Sequence, residues 1–344
     1  MHDIHMKAKI IKKKDILDRL INGYEVFAPV ERDGLILFET IGSGSEALLG
    51  YQNSKMPPKG ILFPQSETLF SYSSTKDTAN IGVPPGLEKP RLIFGIRPCD
   101  AMSFRLLDKV FDGECKDPYY INRRATTVVV SVGCTTSRAS CFCTAVGGGP
   151  FSAEGSDLLL IDIGDEYVVQ IVSDKGARLL EERGFEDAGE DKLALVPEVI
   201  KAAEASMEPG VEIYGLKEKL DNRFDDPIWQ QLTEKCLGCG VCTYLCPTCY
   251  CFDIVDEVVG SGGERIRIWD SCQFPLFTLQ ASGVNPRPTV RERFRQRIMH
   301  KFSYFVDVYD QIGCVGCGRC VTECPVNLDI RQVLNSIAQL EGVK

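Results

Sequence analysis

The feature that most constrains this chain is a cysteine motif that occurs twice. The stretches CLGCGVCTYLCPT (236–248) and CVGCGRCVTECPV (314–326) share the spacing C-x-x-C-x-x-C-x-x-x-C-P. Three thiolates at such short gaps on a tight loop can hold three corners of a cubane cluster. In two-cluster ferredoxins the fourth cysteine ligates the cluster of the other motif. The pattern therefore predicts two [4Fe–4S] clusters with crossed ligation.

Structural zinc and plain core packing explain this pattern less well. Structural zinc uses two pairs of ligands, and unligated core cysteines would not repeat the whole motif. Gly240 and Gly318 precede the third cysteine of each copy, where a side chain would crowd the inorganic sulfides. The predicted ligands are Cys236, Cys239, Cys242 and Cys324 for the first cluster, and Cys314, Cys317, Cys320 and Cys246 for the second.

The number of cysteines also bears on where the protein works. Sixteen cysteines in 344 residues would suit a secreted protein held by disulfides. However, the N-terminal stretch MHDIHMKAKIIKKKD has charges but no apolar run behind them, so no secretory signal is predicted. No uninterrupted apolar stretch is long enough to span a bilayer. We therefore expect a cytoplasmic protein without a membrane span, whose thiols stay reduced.

Charge narrows the class of partner. The formal net charge of −9 argues against a nucleic-acid binder, because little in such a chain would neutralise phosphates. A local basic run, RPTVRERFRQRIMHKF (287–302), stands inside this acidic whole. We expect it to form a helix that docks a protein partner by charge complementarity.

The amino-terminal part of the chain predicts an α/β (α+β) domain. RLIFGI (91–96) and TTVVVSVG (126–133) are apolar, β-branched runs bounded by turn residues, which is typical of buried strands. LLLIDIGDEYVVQIV (158–172) predicts a hairpin. Residues 174–185 and 196–207 have the period of short amphipathic helices.

A polar segment at 208–225 marks a predicted domain boundary. We expect an α/β domain over residues 1–225 and a bacterial-ferredoxin-like dicluster domain over residues 226–344. Between its two motifs the second domain would carry an insert at about 252–311. A helical tail is predicted from about Asp329.

Eight cysteines lie outside the motifs, four of them in two C-aromatic-C units, SCFC (140–143) and TCYC (248–251). In extended chain, residues two apart face the same way, about 6.5–7 Å apart, which suits two ligands of one cluster. Cys99 and Cys134 follow apolar strands, and sites of α/β domains collect at the carboxyl ends of strands. Two hypotheses stay open: buried free cysteines, or a third iron–sulfur centre at Cys99, Cys134, Cys141 and Cys143.

Three cysteines lie beside the first motif in the sequence: Cys249, Cys251 and Cys272. They could complete a further metal centre, pack structurally, or act as catalytic thiols that reduce sulfur, polysulfide or a disulfide. A reactive thiol needs a lowered pKa, which Arg265 or Arg267 could cause if it lay close. Cys115, alone in a polar loop, is expected to have no role.

Other candidate chemistry is sparse. The histidines are His2, His5 and His300, and we expect the last to lie on the surface. IGSGSEALLG (41–50) and GGGP (147–150) lack the fingerprint and context of a dinucleotide-binding loop. We therefore predict no flavin or nicotinamide site in this chain.

The chain resembles the iron–sulfur beta subunit of sulfhydrogenase-type cytoplasmic [NiFe] hydrogenases and the related iron–sulfur subunit of anaerobic sulfite reductase. The likeness spans most of residues 59–330 and includes the last cysteine motif. The other stretches that carry it are KGILFPQSETLFSY (59–72), IFGIRPCDAMSF (93–104), SCFCTAVGGGP (140–150), CLGCGVCTYLCPTCYCFDI (236–254), IWDSCQFPLF (268–277) and NPRPTVRERFRQRIMHKFSY (285–304).

This resemblance implies a dicluster electron-transfer subunit in a multisubunit oxidoreductase of anaerobic metabolism. Its partners would be a flavin subunit that handles NAD(P)H and a catalytic subunit that is hydrogenase-like, heterodisulfide-reductase-like or a sulfite reductase. Whether the chain is itself an enzyme stays open. A redox-sensing module is disfavoured, because no nucleic-acid-binding or signalling domain is visible in the sequence.

Overall fold

The strands of this chain form two sheets. The computed structural model describes residues 8–181, 183–208 and 210–340, which leaves His2 and His5 outside the described residues. Within that part the larger sheet has eight strands: β1 (Ala8–Lys12), β2 (Glu25–Arg32), β3 (Leu35–Ile41), β6 (Arg91–Ile96), β7 (Thr127–Val132), β8 (Leu158–Asp162), β9 (Glu166–Ile171) and β10 (Glu186–Asp187). The smaller sheet comprises β4 (Ser66–Ser74), β5 (Ala79–Gly82), β11 (Phe252–Val259) and β12 (Gly262–Trp269).

The larger sheet has a parallel centre and antiparallel edges. Its strand order is β10-β1-β9-β8-β7-β6-β2-β3, with β2, β6, β7 and β8 parallel to one another. Val128 and Val130 pack into a core on one face, while Val129 packs into a core on the other face. A sheet that is covered on both sides needs continuous apolar runs. The predicted strands at 91–96 and 126–133 are confirmed, as is the hairpin at 158–172, which pairs β8 with β9.

Helices cover the sheet and build the carboxyl-terminal part. Residues 174–185 and 196–207 do contain the predicted helices, and Asp329 caps the predicted terminal helix by accepting a hydrogen bond from the backbone N–H of Arg331. The helices are α1 (Ile16–Leu20), α2 (Pro98–Phe111), α3 (Pro118–Ala125), α4 (Asp174–Glu181), α5 (Glu190–Leu193), α6 (Val196–Ala205), α7 (Leu216–Asp221), α8 (Ile228–Thr233), α9 (Val241–Tyr244), α10 (Val290–Met299), α11 (Phe305–Tyr309), α12 (Arg319–Thr322) and α13 (Ile330–Gln339).

The smaller sheet joins distant parts of the chain. Its order is β11-β12-β4-β5, and β12 pairs antiparallel with β4. Strands β11 and β12 lie between the two cysteine motifs, inside the predicted insert, whereas β4 belongs to the predicted first domain. Domain division and insert stay predictions, and hydrogen bonds cross the expected boundary.

The carboxyl-terminal part is also packed against the amino-terminal part through its core. Phe142 and Val146 share a cluster of buried side chains with residues of α10 and α13. This packing places the SCFC segment beside the second cysteine motif. In the described parts of the chain, no helix combines the length and the apolar character needed to cross a membrane.

Candidate iron–sulfur centres

The first set of motif cysteines surrounds one cavity. Cys236, Cys239 and Cys242 line it together with Cys324 of the second motif. Cys239 is exposed, so this cavity reaches the surface. The backbone N–H of Leu328 donates to the Cys324 sulfur at 3.2 Å. The fold thus brings together the four side chains that the sequence predicts for the first cluster.

The second set lies deeper. Burial is the main reason why the pKa of Cys314 is raised to about 11 and that of Cys317 well above its ordinary value, and the nearby Cys246 contributes to both increases. Cys246 raises the pKa of Cys320 as well, after the larger effects of burial and Arg297. The fourth cysteine of the first motif therefore lies among the first three of the second motif, the arrangement that crossed ligation needs.

Glycines let the cysteine loops turn tightly and pack closely. Gly240 (φ 78°) and Gly318 (φ 75°) precede α9 and α12, in a conformation that favours glycine. A Cβ at Gly240 would lie 2.8 Å from the Phe274 ring. Protein packing thus adds a second reason for these glycines besides room for the sulfides.

Gly316 seats the second motif directly on the SCFC segment. The backbone N–H of Phe142 donates to the Gly316 carbonyl at 2.9 Å. A Cβ at Gly316 (φ 62°) would lie 2.5 Å from the backbone nitrogen of Cys143. This close approach brings the extra cysteines of the amino-terminal part against the loop of the second set.

Cys99, Cys134, Cys141 and Cys143 line a single cavity with Cys317 of the second set. Cys99 is in the first turn of α2, and Cys134 stands two residues beyond β7. Burial raises the pKa of Cys134 to about 11 and that of Cys143 to about 12. These are therefore not reactive thiolates by themselves, whereas an iron–sulfur centre would deprotonate them.

Buried cations without carboxylate partners surround the cysteines of the second set. Lys59, Arg297 and Lys301 are 2%, 3% and 2% exposed, and none forms an ion pair with a carboxylate of the described residues. Lys301 donates to the Thr248 hydroxyl at 2.7 Å and to the Gly313 carbonyl at 2.9 Å. Burial lowers the pKa of Lys301, but the nearby sulfurs of Cys246 and Cys249 outweigh this and raise it overall. The nearest groups that can carry negative charge and compensate these buried cations are therefore cysteine sulfurs.

The expected docking role of the basic run at 287–302 is wrong for its central residues. Arg293, Arg297 and Lys301 are buried, because the run is the inner helix of the cysteine region. A π-helical turn at His300–Tyr304 follows α10. One sequence signal could have revealed this burial. The apolar residues Ile298 and Met299 lie between Arg297 and Lys301, which is unusual for an exposed basic helix face.

His300 is not the surface residue that we expected. It lies between the rings of Tyr250 and Phe305, and its Nε2 is 3.0 Å from the Tyr250 hydroxyl. Burial lowers the pKa of His300 to about 4. The imidazole is therefore neutral near pH 7 and fills space between aromatic rings.

The cysteines beside the first motif form two thiol–thiol contacts. Cys249 hydrogen-bonds to Cys246 and lowers its pKa, and Cys251 hydrogen-bonds to Cys272 and lowers the pKa of Cys272 to about 6. Arg297 and Lys301 add to both shifts. The arginines suggested from the sequence do not contribute, because they pair with carboxylates instead: Arg265 with Asp256, and Arg267 with Glu67 and Asp117.

The spacing of these ligand sets bears on the kind of metal centre. Among the residues that the structure describes, no three His, Cys, Asp or Glu side chains are close enough to hold a single metal ion. Four irons and four sulfides need their thiolates farther apart than one ion does. What distinguishes a cubane from a structural zinc ion here is the motif spacing, a run of three cysteines followed by Cys-Pro in place of two ligand pairs.

Two interleaved cysteine motifs, each with its fourth cysteine beside the first three of the other, are the arrangement of dicluster ferredoxin-type proteins. The comparisons agree, because residues 235–328 match the family model of the 4Fe-4S dicluster domain. The chain is also 32% identical over 328 residues to the sulfhydrogenase 2 subunit beta of Pyrococcus furiosus. That alignment covers 94% of this chain and 96% of the relative. No solved structure matches the chain.

The chain therefore belongs to the family of sulfhydrogenase beta subunits. It is an iron–sulfur subunit of the electron-transfer type, with a dicluster domain in its carboxyl-terminal part. The predicted resemblance is confirmed.

Proposed function

We propose that this chain relays electrons through three iron–sulfur centres inside a cytoplasmic multisubunit oxidoreductase. One end of the path would face a subunit that handles flavin and NAD(P)H, and the other a catalytic partner of the hydrogenase, heterodisulfide-reductase or sulfite-reductase type. When bound, each [4Fe–4S] cluster takes up and releases one electron at a time. The role of the chain is to hold the clusters in line, shield them and set their potentials.

The contacts between the three sets support a linear order. Cys320 of the second set lines the cavity of the first set. On its other side the second set touches the amino-terminal cysteines, since Cys317 lines their cavity and its carbonyl lies 3.9 Å from the Cys141 sulfur. The second set is therefore the middle one. Because Cys239 of the first set is exposed, electrons would pass to or from a partner at the first set.

The observation that carries the proposal is the charge around the middle set. A buried cation without an anion loses its hydration energy, which is several kcal/mol in proteins. For Arg297 and Lys301 the neighbouring anions are cysteine sulfurs. A cluster with four thiolate ligands carries negative charge and would balance them. The same cations would favour the reduced, more negative state and so raise the potential of that cluster.

The four cysteines themselves favour a centre in the amino-terminal cavity too. Cys99, Cys134, Cys141 and Cys143 all line that cavity. The donor set is chemically complete for a cubane, and Arg97 lowers the pKa of Cys134 against the effect of burial.

Iron analysis tests this proposal directly. We would measure iron, acid-labile sulfide and the EPR spectrum of the anaerobically purified, reduced chain. About twelve iron atoms per chain are expected for three cubanes, falling to about eight in Cys141→Ser. Cys115→Ser is the matched control, because Cys115 is exposed and lies in none of the sets. About eight irons in both the native chain and Cys141→Ser would refute the third centre.

A second candidate function is supported by the contact between Cys251 and Cys272. A low-pKa thiolate beside a second thiol is the arrangement of thiol–disulfide chemistry. Cys272 would attack a disulfide or polysulfide sulfur, and Cys251 would release the product as a thiol while the pair becomes a disulfide. Two electrons from the clusters would then restore the pair.

Turnover separates the two candidates. If the pair is catalytic, Cys272→Ser abolishes disulfide or polysulfide reduction while iron content and cluster reduction by the flavin partner stay unchanged. Full turnover in Cys272→Ser would exclude the catalytic role and leave the chain a conduit.

A further inference from the structure

A large cavity opens at the carboxyl ends of the parallel strands, away from the two motif sets. Its volume is about 670 Å³, and it is lined by residues at or just beyond the carboxyl ends of β6, β7 and β8 and by the segments 13–18 and 44–52. Sites for small molecules usually have this size, and in α/β sheets they lie at the carboxyl ends of strands. The IGSGSEALLG stretch, which showed no dinucleotide fingerprint, supplies part of the wall.

The floor of this cavity contains a buried cation. Arg97 is 6% exposed and stacks on the Tyr51 ring at 4.2 Å. Its guanidinium donates only to neutral carbonyls, those of Val132 (3.4 Å), Gly133 (3.2 Å) and Leu49 (3.3 Å). Within the described residues it has no carboxylate at ion-pair distance, and its Nε has no partner. A buried guanidinium in this condition calls for an anion.

A second cation stands at the entrance. Lys14 is exposed and forms no ion pair with a carboxylate of the described residues, whereas its neighbour Lys13 is bound to Asp162 at 2.6 Å. Ser45, Thr135 and Thr136 add hydroxyls to the polar lining, which also contains the carboxylates of Asp18 and Asp162. The planar guanidinium of Arg97, the ammonium of Lys14 and several hydroxyl donors together suit a tetrahedral oxyanion, which has many acceptor positions.

The cavity also shares a wall with the four amino-terminal cysteines. Arg97, Cys134, Thr136 and Gln52 line both spaces. A molecule bound here would therefore be separated from the proposed third centre only by these shared side chains. The binding itself does not depend on that centre, because Arg97 and Lys14 belong to the protein.

We propose that this cavity binds a phosphate-bearing small molecule of up to mononucleotide size. Arg97 and Lys14 hold the phosphate group, and the remaining volume takes the organic part. A free oxyanion alone would leave most of the cavity unfilled. Either source of phosphate, inorganic or organic, uses the same recognition chemistry.

Calorimetric titration of the full chain, anaerobic and with its metal content intact, tests the proposal. The probes are inorganic phosphate, adenosine monophosphate and adenosine. We expect saturable binding of adenosine monophosphate, competition by phosphate and no binding of adenosine. Tighter binding of the nucleotide than of phosphate identifies an organic ligand, and equal affinity identifies free phosphate. Absence of binding by both phosphate probes overturns the proposal.

Variants locate the site. Lys14→Gln should weaken phosphate-dependent binding roughly tenfold, since it removes one hydrogen bond to a charged group. Lys12→Gln is the matched control, because Lys12 is an exposed lysine two residues away that does not line the cavity. Thr136→Val is a second probe that leaves all charges in place. Unchanged affinity in both Lys14→Gln and Thr136→Val would refute this location, and iron analysis of each variant keeps that outcome separate from loss of a centre.

Discussion

The buried ion pair between Arg319 and Asp100 offers a quantitative test of how the two halves of the chain are held together. Arg319 follows the second motif's glycine and is 2% exposed, while Asp100 in α2 is fully buried. Their two hydrogen bonds are 2.6 and 2.7 Å long, and Arg319 also donates to the carbonyl and hydroxyl of Ser54, each at 2.9 Å. Asp100→Asn keeps the shape but leaves the guanidinium buried without its counter-charge.

Removing one partner of such a pair costs about 3–5 kcal/mol of unfolding free energy. For a chain of this size we expect the thermal midpoint to fall by roughly 5–10 °C. The assay is a thermal scan of anaerobic protein at one fixed rate, because a protein with metal centres does not unfold in two reversible states. Arg319→Gln should cost as much, and the double variant less than the sum of the two.

The matched control is Lys116→Gln, which breaks the exposed pair of Lys116 with Asp112. Its expected cost is below about 1 kcal/mol. A midpoint for Asp100→Asn within about 1 °C of the native chain, or strict additivity in the double variant, would refute the reasoning.

Three further predictions follow from the site. The folded chain holds His300 neutral with a pKa of about 4, while the unfolded chain protonates it below about 6.5, so stability should fall as pH drops from 6.5 towards 4. His300→Gln should flatten that part of the plot of thermal midpoint against pH, and an unchanged slope would contradict the assignment. Iodoacetamide should alkylate Cys272 at pH 7 about tenfold faster in the native chain than in Cys251→Ala, which loses the hydrogen bond that lowers the pKa; equal rates measured by mass spectrometry would count against the pair. Gly316→Ala should lower both midpoint and iron content because its Cβ meets opposing backbone at 2.5 Å, whereas Gly23→Ala, equally left-handed but with open space around it, should leave iron content unchanged.

Local patterns in the sequence predicted several elements correctly. The strands at 91–96 and 126–133 and the hairpin at 158–172 follow from apolar, β-branched runs between turn residues, because covering both faces of a strand requires that composition. The doubled cysteine spacing likewise predicted a dicluster protein, which the family match bears out. Such predictions succeed because ligand spacing and side-chain period act over a few residues.

Long-range contacts were beyond the sequence. The pairing of β12 with β4 joins segments almost 200 residues apart, and neither strand has a sequence pattern that identifies its partner. The cations at 287–302 have the composition of a docking helix, yet Arg297 and Lys301 are buried beside cysteine sulfurs. Composition could not show this, because the anions that hold them inside come from another part of the chain.

The sequence by itself therefore determined the chemistry of this protein: eight motif cysteines at cluster spacing, and buried strands in an α/β domain. Only the tertiary structure decided which other groups lie beside these cysteines and strands. It brought four cysteines of the amino-terminal part around one cavity against the second motif, paired Cys251 with Cys272, and left Arg97 buried beneath an open cavity. The physical reason is that ligand spacing is local, whereas charge compensation and close packing depend on every element that folds against a residue.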